Sequence, residues 1–205
     1  MGIFLIAFYI LIIVAVTYFS LRSTSVCGKI GEAGCAAILN MLPKDKYIVI
    51  NDLLIKNSHG STSQVDHVVL SIYGIFVIET KNYSGRIYGN DKAENWIKNV
   101  YGHKYSFYNP VKQNYGHIKA VKRCLGLSSD YGINGIVAFT NRADLRVHSS
   151  YNVVNFGRLL KCIKHYKNQC FDSDVISSYA EKLESFTGYS REEKRDHIRE
   201  VRAGV

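Results

Sequence analysis

No CxxC pair occurs among the five cysteines, Cys27, Cys35, Cys124, Cys162 and Cys170, and their number is odd. A zinc site and a disulfide framework are therefore both disfavoured, and reduced, structural thiols are expected. There is no G-x-x-x-x-G-K-[ST] run, so no ATP-driven motor is expected in this chain. No serine–histidine–acid arrangement and no metal-binding histidine pair stands out, and there are no internal repeats or low-complexity stretches. Charge is absent from residues 1–21, MGIFLIAFYILIIVAVTYFSL. As a helix this run is about 30 Å long, the thickness of a bilayer core. Arg22 and Lys29 follow it and no basic residue precedes it. The expected topology is a single-pass transmembrane helix with the N-terminus outside and the rest cytoplasmic, as at a bacterial inner membrane. A cleaved signal peptide competes with this reading, but the basic start is missing and the apolar run is too long. Arg22 likewise makes a poor context for lipoprotein cleavage near the TSVCG stretch.

The remainder has the composition of a folded domain. Of 205 residues, 47% are hydrophobic and 21% charged, which argues against extensive disorder. The net charge of +9 suits a polyanionic partner, either nucleic acid or an anionic membrane surface. Residues 29–42 read as a helix stopped by Pro43, and residues 47–55 as a strand. Two further strands lie within QVDHVVLSIYGIFVIETKN, residues 64–82. Residues 83–108 read as an insertion of short strands with Gly85, Gly89, Trp96 and several tyrosines. Asn109 as N-cap and Pro110 as the first helical residue open a helix with an apolar stripe of Val111, Tyr115, Ile118, Val121 and Leu125. Residues 132–140 form another buried strand, with weaker strands at 145–148 and 151–155. Helices near 156–167 and 173–186 and a charged tail complete the chain. The order is helix, three strands in an antiparallel meander, a helical crossover and a fourth strand. The expected organisation is an anchor at 1–22, a central domain at 28–155, helices at 156–188 and a tail at 189–205.

Asp66, Glu79 and Lys81 are out of place in such apolar strands, because buried charge is costly unless paired. Strand side chains alternate faces, so Glu79 and Lys81 share one. A two-residue hairpin loop near Ile72-Tyr73 or Tyr73-Gly74 puts Asp66 on that same face. Two carboxylates suit a hard cation such as Mg²⁺. A lysine beside them suits a developing phosphoryl charge or an attacking water. The competing reading is a buried salt-bridge network that fixes strand register. His67 points to the opposite face and reads as packed. His117 lies one turn after Gln113. Lys112, Lys119, Lys122 and Arg123 lie off the apolar stripe and are candidates for phosphate contact, with a solvated helix face as the alternative. The tyrosines near Trp96 fit an ordinary sheet face better than base stacking.

At these residues the sequence resembles the nuclease-related domain (NERD) family of the PD-(D/E)xK nuclease superfamily. The resemblance is carried by GKIGEAG (28–34), QVDHVVLSIYGIFVIETKN (64–82) and the Gly85, Ile87 and Gly89 pattern. Trp96, YSFYNPVKQNYGHIKAVK (105–122) and AFTNRADLRV (138–147) extend it. It implies an α+β, restriction-endonuclease-like αβββαβ core around a central mixed sheet. It also implies metal-dependent hydrolysis of phosphodiester bonds in nucleic acid, with DNA as the expected substrate and Mg²⁺ or Mn²⁺ as the cofactor. Asp66 and Glu79 match the metal-binding acids, Lys81 the catalytic lysine, Glu32 the glutamate of the first helix, and Gln113 a position facing the site. Val65 stands where the superfamily label has proline, and Cys35 follows GEAG where many relatives carry a second acid. A non-catalytic nucleic-acid-binding or scaffold module tethered to the membrane is the alternative function. His117, Lys112, Lys119, Lys122 and Arg123 are the expected nucleic-acid contacts.

Overall fold

The computed structural model describes residues 2–56 and 62–189, without the side chains of most residues before Val26. Helix α1 runs without a break over Gly2–Leu39, so the expected anchor and the first helix of the domain are one element. Pro43 follows its end, where the chain turns toward the sheet. Among the described residues no helix is long and apolar enough to cross a membrane. The expected tail lies, from residue 190 onward, outside the described residues.

Three strands follow: β1 (Ile48–Lys56), β2 (Thr62–Ser71) and β3 (Gly74–Lys81). They form the expected antiparallel meander, with Ser71 paired to Gly74 across a two-residue turn at Ile72 and Tyr73. Strands β4 (Gly85–Asn90), β5 (Asn95–Val100) and β6 (His103–Tyr108) come next, then α2 (Pro110–Leu125) and β7 (Ile133–Phe139). The chain closes with β8 (Ala143–His148), β9 (Asn152–Asn155), α3 (Phe156–Ile163) and α4 (Ser173–Glu184). The five-stranded sheet has the order β1-β2-β3-β7-β9. It is mixed, because β7 pairs parallel to β3 and β9 parallel to β7. The fold is therefore α+β around a central mixed sheet.

Both faces of that sheet are covered, which is why β3 is almost continuously apolar. On one face Val68, Leu70 and Val77 pack with Ala120, Val121 and Leu125 of α2 and with Leu183 of α4. On the other, Phe76 and Ile78 pack with Cys35 and Leu39 of α1 and with Leu159 and Ile163 of α3. The expected insertion becomes a second sheet, β6-β5-β4-β8, in which β4 takes β8 as a parallel partner. Trp96 anchors it, stacked on Phe139 at a centroid distance of 6.4 Å. The indole lies over Gly89, where a β-carbon would come within 2.3 Å of it, so a side chain there is excluded.

Helix α2 positions the site, and polar residues add to its apolar packing in fixing it in place. Asn109 is fully buried; its Oδ1 accepts from Val111 N–H at 3.0 Å and its amide donates to Ala93 O at 2.7 Å. It thus caps the helix and ties it to the β4–β5 turn. Asn114 donates to Val77 O (3.0 Å) and Ile136 O (3.1 Å), bridging β3 and β7. The expected stripe is corrected at Tyr115, which is 47% exposed, while Asn114 and His117 are buried in its stead.

Candidate active site

The meander register places the two acids. Bonded pairing of β2 with β3 ends at His67 and Ile78. One position further on stand Asp66 and Glu79, where the strands part. Asp66 fills the gap: its Oδ2 accepts the Thr80 N–H at 2.8 Å, in place of a ladder bond. Asp66 thus lies next to Glu79 where the strands separate, but the alternation that would put it on the face of Glu79 and Lys81 breaks here, since Val65 and Val68 pack in the same cluster.

Glu79 is 2% exposed, and both its oxygens have partners. Lys81 Nζ donates to Oε1 at 2.7 Å and His117 Nε2 lies 3.0 Å from Oε2. Gln113 Oε1 accepts from Lys81 Nζ at 2.9 Å. Ser63 Oγ lies 2.9 Å from His117 Nδ1. A Ser63 hydroxyl donating to Nδ1 leaves Nε2–H for Glu79, so a neutral imidazole satisfies the whole line. The line Ser63–His117–Glu79 was not visible in sequence, because its members come from β2, α2 and β3. The one available signal was the i, i+4 spacing of Gln113 and His117, which puts both on the face of α2 that meets the sheet.

The electrostatics separate the two acids. Burial raises the Glu79 pKa, but the Lys81 ammonium and the His117 hydrogen bond outweigh it and bring it down to about 2. Burial also opposes the charge on Lys81, yet the Glu79 carboxylate prevails and holds its pKa above the ordinary lysine value. Lys81 is thus an ammonium ion, a donor rather than a base. Asp66 goes the other way. Burial and then the Glu79 charge push its pKa well above the usual carboxylate range, against the opposing Thr80 N–H. Glu32 adds to the rise in Asp66, which places that helical acid within electrostatic reach of the cluster.

Glu32 arrives there because α1 crosses the end of β3 at Gly31. A β-carbon on Gly31 would lie 2.6 Å from Asn82 Cβ. Asn82 fastens the crossing by donating to Cys27 O at 2.6 Å, and it accepts from Arg142 at 2.8 Å. The glycine of the GKIGEAG block is therefore a close-approach residue.

Of the expected site residues, Glu79, Lys81 and Gln113 come together in direct contact, with Asp66 and Glu32 beside them. His117, expected at a phosphate, is turned inward to Glu79. Lys112 pairs with Glu94 at 2.9 Å and Lys122 pairs with Asp130. Lys119 is exposed and lies 4.4 Å over the Tyr115 ring, and Arg123 is exposed on the same flank. His67 is packed: it bonds Asn51 Oδ1 at 2.7 Å, and burial lowers its pKa to about 4.

A mixed α+β domain with carboxylates and a lysine gathered where two strands part is the class that these features define. Residues 28–140 match the nuclease-related domain family. The chain is 35% identical to an uncharacterized protein of Bacillus anthracis over 153 residues, covering 73% of this chain and 71% of that protein. The chain belongs to the nuclease-related domain family. No solved structure matches it.

Proposed function

We propose that the protein is a membrane-anchored nuclease whose restriction-endonuclease-like core hydrolyses phosphodiester bonds in nucleic acid, with DNA as the substrate and Mg²⁺ or Mn²⁺ as the cofactor. The observation that carries this reading is the placement of Asp66 and the buried Glu79 side by side where β2 and β3 part, with Lys81 bonded to Glu79 and Gln113. A half-buried carboxylate held against a buried one is relieved by a divalent cation. Among the described residues no group of three or more His, Cys, Asp or Glu is arranged to hold a metal. A site of two carboxylates leaves the remaining positions to water and substrate, which suits Mg²⁺. Asp66 and Glu79 would hold the ion, and when bound it would supply Lewis acidity toward a phosphoryl oxygen.

The chain's own groups supply the rest. Lys81 carries its charge to the place where the phosphoryl oxygens gain negative charge, and it donates hydrogen bonds to them. Gln113 holds the ammonium in position, and His117 holds the Glu79 carboxylate. Water adds to phosphorus, the ester P–O bond breaks, and the departing sugar oxygen takes up a proton. The anchor rests on the uncharged run at 1–21 and on the exposure of Ile6, Ile10 and Ile13 along α1. With the N-terminus outside, the catalytic domain is cytoplasmic.

The test is cleavage of single- and double-stranded DNA and RNA by the full chain in detergent, with Mg²⁺, Mn²⁺ or EDTA. Cleavage of DNA that needs metal and is lost in Asp66→Ala and Lys81→Ala is expected; equal cleavage by these variants would sink the assignment. One observation favours a non-catalytic binding module instead: Lys81 and His117 of the chain itself occupy the two Glu79 oxygens. Salt-sensitive binding of nucleic acid without product is the outcome that reading requires.

A further inference from the structure

A second feature lies on the opposite layer of the central sheet, where α3 crosses the edge strand β9. A cleft of about 460 Å³ opens there, lined by Asn152, Arg158, Lys161, His165 and Tyr166, with Val154 and Cys162 on its apolar wall. Its volume falls in the range of small-molecule sites. Arg158, Lys161 and His165 line it from α3 and the turn that follows. On the other side of Tyr166 lies a cavity of about 430 Å³, to which Lys46, Lys164 and Lys167 contribute. Among the described residues no acid lines either one. Among the described residues, none of these six basic side chains is in an ion pair.

Unopposed cations gathered around a cavity favour an anion, and their number favours more than one negative charge. The cleft also has an aromatic wall held in place. Asn152 Nδ2 donates to Tyr166 Oη at 3.1 Å, and the Tyr166 ring packs edge-on against Phe76 of β3 at 5.2 Å. An aromatic face with adjoining apolar groups suits a planar heterocycle. A lipid headgroup is disfavoured by position. Along α1, roughly 27 Å separates Leu21, the end of the apolar run, from Leu39, and Pro43 beside the second cavity lies beyond that.

We propose that the cleft between β9 and α3 binds a nucleoside polyphosphate, its base against Tyr166 and its phosphates on Arg158, Lys161 and the neighbouring basic residues. This site is separate from the Asp66–Glu79 cluster and does not depend on nuclease activity. The experiment is calorimetric titration of the full chain in detergent with ATP, GTP and inorganic tripolyphosphate at matched ionic strength. The Arg158→Glu/Lys161→Glu variant and a control at the exposed Lys182 of α4, Lys182→Glu, are titrated in parallel, and thermal melting checks that each is folded. A nucleoside triphosphate is expected to bind at least tenfold more tightly than tripolyphosphate. The double reversal should weaken it at least tenfold, and the control should leave it unchanged. Equal affinity for ATP, GTP and tripolyphosphate would overturn the proposal, leaving a plain anion patch. So would nucleotide binding that survives the double reversal. Absence of nucleotide binding, together with oligonucleotide binding that the reversal abolishes, would reassign the cleft to a nucleic-acid strand.

Discussion

Helix α2 and helix α3 are both basic, and they treat their charges in opposite ways. On α2, Lys112 is paired with Glu94, Lys122 with Asp130, and Lys119 rests on Tyr115. Inside the adjoining site the pairing is complete, with Lys81 and His117 closing on Glu79. At α3 and the turn after it, Arg158, Lys161 and His165 line a cleft with no acid among the described residues of its lining. Paired charges hold geometry that the fold has already set. Charges around a cavity that have no ion-pair partner among the described residues suit an anionic ligand. Net charge alone, +9 for the chain, could not tell these apart.

The largest effect should come from opening the paired cluster. Glu79→Ala leaves the Lys81 ammonium, 16% exposed, without its counter-ion. Breaking a buried pair on one side costs about 3–5 kcal/mol, so urea denaturation should show a loss of that order along with loss of cleavage. A loss within about 0.5 kcal/mol, the range of an ordinary surface substitution, would mean that Lys81 reaches solvent freely and that the cluster is less closed than described.

Gly31→Ala comes next. Its new β-carbon falls 2.6 Å from Asn82 Cβ, so α1 must shift from the end of β3. Overpacking of this kind costs about 1–3 kcal/mol. Asn82→Gly in the same chain removes the opposing β-carbon and should return part of that loss, which a double-mutant cycle reads directly. Failure of the rescue would show that the crossing is not limited by this contact.

Asp66 and Glu79 should respond to pH with opposite signs. Glu79 is depressed from 4.5 to about 2, so its stabilisation is present above the ordinary value and is lost as pH falls toward the folded one. Asp66 is raised, so the folded state keeps its proton longer than the unfolded chain does. Its contribution is full below the ordinary carboxylate value and is lost as pH rises through the raised one. Asp66→Asn can still accept the Thr80 N–H through its amide oxygen, and it removes the second slope alone. Unfolding free energies at about pH 5 and about pH 8 should therefore favour the variant most at the higher pH, while cleavage is abolished. An unchanged pH slope would mean that Asp66 is ionised in the folded protein throughout.

Much of this arrangement was legible in the sequence, for local reasons. Period-two alternation put Glu79 and Lys81 on one face, and the observed pairing of Ser71 with Gly74 is one of the two registers expected, whereas Asp66 stands where the alternation of β2 breaks. Asn109 and Pro110 marked the start of α2 correctly. The misreadings have a common cause. Apolar periodicity put Tyr115 in the core of α2, yet Asn114 and His117 occupy it. The carbonyls of Val77 and Ile136 and the Glu79 carboxylate need donors, and hydropathy does not register that need. The second sheet was read only as an insertion of short strands, because its closure depends on β8, which is distant in sequence. The continuity of α1 from Gly2 to Leu39 was also missed, since nothing in a charge-free run followed by a polar stretch says that the helix continues through both.

The smallest expected effects test the contrast between the two helices most directly. Lys112 is 34% exposed and Glu94 is 67% exposed, so their ion pair lies near the surface and is worth about 0–1 kcal/mol. Lys112→Ala should lower stability by no more than that, and the loss should shrink in high salt, which screens the pair. Lys161→Ala removes a cation with no ion-pair partner among the described residues and with other cations nearby, so stability should hold or rise, most clearly in low salt. Salt should then act on the two variants in opposite directions, as seen in paired denaturation curves. If Lys161→Ala instead destabilises the protein and the loss fades with salt, then Lys161 has an acidic partner in solution. The distinction between a satisfied helix and one awaiting a ligand would then fail at α3.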